Sequence, residues 1–67
     1  MREIFADVYR FAAKWLGDRT EFHYTAEDFN AMMMEMFEIE KKYPETYLST
    51  DLLMAVYGEI ERRNKVG

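Results

Sequence analysis

The side chains in this sequence that could do chemistry are few. A single histidine, His23, lies between Phe22 and Tyr24, and a run of methionines, Met32, Met33, Met34 and Met36, is interrupted by Glu35 and closed by Phe37. A lone imidazole can act as a general base or a pH-sensitive group. Nucleophilic catalysis would also need a serine or cysteine motif to work with it, and none accompanies His23, so the expectation is a loop histidine packed between aromatics. Glu35, Glu38 and His23 do not supply the Glu-x-x-His pairs of a di-iron bundle. With no cysteine and no second histidine, zinc-ligand spacing is also missing. The sequence therefore predicts a non-enzymatic protein without catalytic residues, cofactor or metal.

The methionine run is the most unusual local feature. Methionine can fill irregular gaps in a core or build an adaptable binding surface. On a helical wheel, the apolar arc from Ile39 through Met32, Phe29, Met33 and Phe37 to Met34 spans roughly 220°, wider than contact with one neighbour requires. Part of that arc is used if this helix is central and buries opposite sides against two others. The surplus would face a partner, and the side least needed for one neighbour carries the candidate partner-binding residues Met32, Met34, Glu35, Glu38 and Ile39. The partner would be another protein or a second copy of the chain. Glu40 falls inside the arc, where a carboxylate has to be paired, neutralised or solvated.

Charge supplies the competing readings. Glu27, Asp28, Glu35, Glu38 and Glu40 follow one another with no intervening base. Such a run is a solvated outer face or a docking patch for a basic surface; in a small phage or mobile-element inhibitor it could imitate nucleic-acid phosphates. A helix-turn-helix DNA-binding regulator is a further alternative. Against it, the third helical segment begins Ser49-Thr50-Asp51 and holds Arg62, Arg63 and Lys65 at its far end, and the net charge of −4 gives no footprint for phosphate. Nucleic acid is therefore not the expected partner.

Three helical segments must position these residues. In the first, Ile4, Val8, Phe11 and Trp15 recur at helical spacing beside a polar stripe of Glu3, Asp7, Arg10 and Lys14, and Gly17 supplies a C-cap, predicting a helix over about 2–16. Thr25 and Asp28 have capping-box spacing, Tyr24 and Phe29 form a hydrophobic staple, and Tyr43-Pro44 stops the second helix, predicted over about 26–42. Ser49 or Thr50 is expected to cap a third over about 50–65, carrying Leu52, Leu53, Val56, Tyr57 and Ile60. No β-hairpin signal is present. The fold class is all-α, a compact three-helix bundle forming one domain over 1–67, with Trp15, Phe11, Phe29, Met36, Phe37, Leu53, Tyr57 and Ile60 converging in its core.

The composition supports such a bundle and narrows its setting. The chain has 67 residues, 49% of them hydrophobic, so apolar burial must offset the ordering cost without a disulfide. Absence of cysteine suits a reducing compartment. Arg2, Glu3, Asp7 and Arg10 break every apolar stretch of signal-peptide length, and no run approaches a membrane span, giving an expectation of cytoplasmic localisation.

Overall fold

Helix α1 spans Arg2–Trp15, and its Ile4, Val8 and Phe11 are buried at the spacing that keeps one helical face inward. It ends where expected: the N–H groups of Leu16 and Gly17 both donate to the Ala12 carbonyl, at 2.8 and 2.9 Å. Gly17 has φ +54°, a left-handed conformation that costs glycine little because it has no Cβ. The computed structural model describes residues 2–65; Met1, Val66 and Gly67, the ends of the domain expected over 1–67, lie outside the described residues.

Helix α2 spans Ala26–Glu40. Its capping box is formed in both directions: Thr25 Oγ1 accepts the Asp28 N–H at 3.3 Å and Asp28 Oδ2 accepts the Thr25 N–H at 2.9 Å. The staple is present as an edge-to-face contact between the rings of Tyr24 and Phe29, centroids 6.2 Å apart. The helix stops two residues short of the expected 42. The Lys42 and Tyr43 N–H groups bond three residues back, to Ile39 and Glu40, and this tighter winding ends the α-helical ladder before Pro44.

Helix α3 spans Leu48–Arg63, not 50–65. Neither Ser49 nor Thr50 caps it. Thr46 Oγ1 accepts the Leu48 N–H at 3.1 Å, so the helix begins two residues early and Ser49 is carried into its first turn, where it is buried. At the other end Asn64 is extended, with φ −75° and ψ 130°. It forms an isolated parallel β-bridge with Phe22, in which Phe22 N–H donates to Arg63 O at 3.2 Å and Lys65 N–H donates to Phe22 O at 2.7 Å. Lys65 thus serves this bridge and not the helix end.

Packing follows from short connections. Residues 41–47 join the end of α2 to the start of α3, while Phe29 near the other end of α2 meets Tyr57 late in α3 at 5.7 Å between ring centroids, so these helices run antiparallel. Lys14 pairs with Glu35 and Lys42 pairs with Asp7, which orders α1 and α2 antiparallel as well. All three helices pack on one another around a core of Ile4, Val8, Phe11, Phe22, Met32, Met36, Leu53 and Ile60. Trp15, Phe29 and Tyr57 are half-buried against it. Phe37, expected there, is exposed instead. Phe22, from the first connection, is in the core, although its position outside any helical stripe gave no such expectation. No helix among the described residues is long and apolar enough to cross a membrane.

Candidate interaction surface

The inward line of α2 is Met32 and Met36, both buried. At about 100° per residue, Asn30, Met34, Phe37 and Lys41 fall on the opposite side, away from α1 and α3. Met34 is 71% exposed and Phe37 is 59% exposed, with Met33 exposed on the flank nearer α3. The side of α2 that faces solvent is therefore apolar through its middle two turns. Helix α2 is not central: α1 and α3 also pack on each other, and α2 meets both through one inward face, the Met32–Met36 line with the half-buried Phe29 and Ile39 beside it.

Two sequence expectations change here. Met32 is 0% exposed and fills the core between the helices, so it is removed from the candidate partner-binding set. Phe37 moves the other way, from expected core to surface, because the Met32–Met36 line sets the inward direction and Phe37 lies about 100° beyond Met36. The remaining four candidates, Met34, Glu35, Glu38 and Ile39, line one shallow groove along α2. Its carboxylates are not free. Glu35 accepts from Lys14 Nζ at 2.6 Å and from the indole N–H of Trp15 at 3.1 Å, both on α1, and Glu38 pairs with Lys41 at 3.2 Å. Glu40 is half-buried at the helix end.

His23 does not pack between its aromatic neighbours. The chain from Glu21 to Thr25 is not helical, and alternation in this stretch puts Phe22 and Tyr24 on one side, stacked with each other at 5.1 Å, while His23 is exposed with Nε2 3.4 Å from Glu21 Oε2. Among the described residues no group of three or more histidines and carboxylates could hold a metal ion.

A second cluster was not grouped by the sequence reading. Asp7, expected in the polar stripe of α1, is buried at 6% exposure at the base of an open cleft between α1 and the end of α2. Its Oδ2 accepts from the Tyr43 hydroxyl at 2.6 Å and from Lys42 Nζ at 2.9 Å, while Oδ1 accepts from Arg10. The Tyr43 and Lys42 hydrogen bonds hold the carboxyl down at about 2 against the opposing effect of burial, and the same contact pushes the Tyr43 phenol up to about 12. Both oxygens are engaged by groups from either side of the cleft, so this carboxylate clamps α1 to the segment that follows α2. Its only sequence signal was the adjacency of Lys42 and Tyr43 at a helix stop.

No protein-family model matches this chain, and no curated protein or solved structure matches it significantly.

Proposed function

We propose that this protein is a non-enzymatic helical interaction module that binds another polypeptide through the outward face of α2. The observation that carries this reading is the exposure of Met34 and Phe37 on the helix side turned away from the core. Burying one such side chain is worth about 1.5–3 kcal/mol, and a contiguous apolar patch on a small domain marks a contact surface. Methionine adds adaptability, since its unbranched thioether repacks against differently shaped partners. The groove lined by Met34, Glu35, Glu38 and Ile39 continues the same surface toward α1. A chain without cysteine suits the reducing cytoplasm, where we place it.

The readings that involve nucleic acid gain nothing from the geometry. Glu35 and Glu38 are partnered within the chain, which interrupts a phosphate-like row. Arg62 and Arg63 are both paired with Glu59, and Arg63 also donates to the Arg19 carbonyl, leaving the basic end of α3 engaged.

The test is a photo-crosslinking residue placed at Met34, compared with one at the exposed Asp51 of α3, in cells that express the protein. Polypeptide adducts from position 34 and not from position 51 support the module. Adducts equal at both positions, or absent from both, overturn it.

A further inference from the structure

The outward face of α2 has an order beyond its apolarity. Glu27, Asn30, Met34, Phe37 and Lys41 are spaced alternately three and four residues apart, the repeat of a coiled-coil seam, and every one of them is exposed. A seam of this kind normally faces another helix. Among the described residues it faces none, because α1 and α3 pack on the Met32–Met36 side.

Its ends differ in charge. Glu27 occupies the first turn of α2, and Lys41 is the residue that caps its C-terminus. The large apolar pair, Met34 and Phe37, lies between them. Such a strip is complementary to itself when reversed: an acidic end meets a basic end twice, the middles meet once, and opposed helix dipoles add to the attraction. Parallel pairing would set Glu27 against Glu27 and Lys41 against Lys41.

Resting on the reading of α2 as an interaction face, we infer that its occupant is a second copy of this chain, docked antiparallel along α2 around a two-fold axis. Met34 then packs against Phe37 of the second copy, Asn30 lies opposite Lys41, and each Lys41 comes within one helical turn of the opposing Glu27. The exposed Glu38–Lys41 pair does not prevent this, since a solvent-exposed ion pair three residues apart is weak and can exchange partners. Asn30 in the seam disfavours slipped registers that would leave its amide against carbon. Helix α2 is 15 residues long, so the seam covers about 22 Å and falls at the small end of specific interfaces. Such a small interface makes a concentration-dependent dimer.

Sedimentation equilibrium of the purified full chain, from low micromolar to near-millimolar concentration, tests this directly. The expected result is a concentration-dependent shift from 8.1 kDa toward twice that mass. Met34→Glu and Phe37→Glu abolish the shift while circular dichroism shows the helices retained, since both side chains are outside the core. Lys41→Glu weakens the dimer roughly tenfold by opposing like charges, and Glu27→Lys combined with Lys41→Glu restores it. A monomer at every concentration overturns the inference, as does a dimer indifferent to both Met34→Glu and Phe37→Glu. A double charge swap no better than Lys41→Glu alone overturns the antiparallel pairing. If the chain stays monomeric while position 34 crosslinks to a different polypeptide, this inference fails and the interaction module stands; if position 34 crosslinks to nothing, both fail.

Discussion

The Tyr43 hydroxyl lies 2.6 Å from Asp7 Oδ2, joining the residue just before the only proline to the middle of α1. This contact, seconded by Lys42, is what holds the Asp7 carboxyl at about 2, below its ordinary 3.8. A carboxyl whose folded value is depressed contributes stability that is fully present above its unfolded value, about 3.9, and disappears as pH falls through the folded one. Stability against thermal unfolding is therefore expected to fall between about pH 4 and about pH 2. Tyr43→Phe lowers the midpoint by roughly 5 °C at neutral pH, and the gap from wild type closes toward about pH 2. A gap that stays constant across that range would remove Asp7 from the clamp.

Ser49 presents the opposite case, a polar atom with nothing to bond. Its side chain is almost fully buried on the core side of α3, and its hydroxyl has no hydrogen-bond partner among the described residues. An unsatisfied buried hydroxyl costs about 1–3 kcal/mol, and alanine is also the better helix former. Ser49→Ala is expected to stabilise the fold by about 1 kcal/mol, raising the melting temperature by about 4–8 °C. Calorimetry showing an unchanged or lower midpoint would mean that the hydroxyl finds a partner in solution.

The connection between α1 and α2 is held from a distance. The Asn64 side chain accepts the Tyr24 N–H at 2.8 Å and donates to the Tyr24 carbonyl at 3.2 Å, satisfying both groups of one residue with a single amide. Asn64→Ala should cost about 1–3 kcal/mol in urea unfolding. Asn64→Asp keeps the acceptor but sets a negative oxygen against the carbonyl, so its cost falls no lower. Amide exchange at Tyr24 reads the contact separately, and protection unchanged in either variant would show that the bond is dispensable.

Gly17 tests the end of α1. An added Cβ would meet nothing closer than the Ala13 carbonyl at 3.5 Å, an ordinary contact, so the penalty of Gly17→Ala comes from the left-handed backbone alone. That penalty is about 1–2 kcal/mol. A loss much beyond it, measured by chemical denaturation, would point to crowding absent from this geometry.

The parts of this fold that were legible in the sequence are those governed by neighbours along the chain. Gly17 as a C-cap, the Thr25–Asp28 box and the Tyr24–Phe29 staple each depend on residues a few positions apart, and all three are present. What the sequence misplaced depends on direction in space. Ser49 was a good cap by type, yet the helix starts at Leu48 after Tyr47 with no side-chain cap, and Ser49 turned inward. Met32 and Phe37 exchanged places between surface and core because a helix apolar on both sides has no periodicity that says which side is inward. Met34, Glu35, Glu38 and Ile39 could be grouped on one side from spacing alone, whereas the ties of Glu35 to Lys14 and Trp15 could not. Asp7 looked like surface for a similar reason, as its three donors include two from the connection after α2.

The bridge between Phe22 and Asn64 also dictates an order of events during synthesis. Phe22 is among the most deeply enclosed side chains, yet both main-chain bonds that fasten it come from residues made more than forty positions later. A nascent chain carrying only α1 and α2 can form its capped helices and still leave this phenylalanine exposed. Closure of the core must wait until Arg63 to Lys65 have cleared the ribosome, and its slowest step should be the one with the longest loop to close.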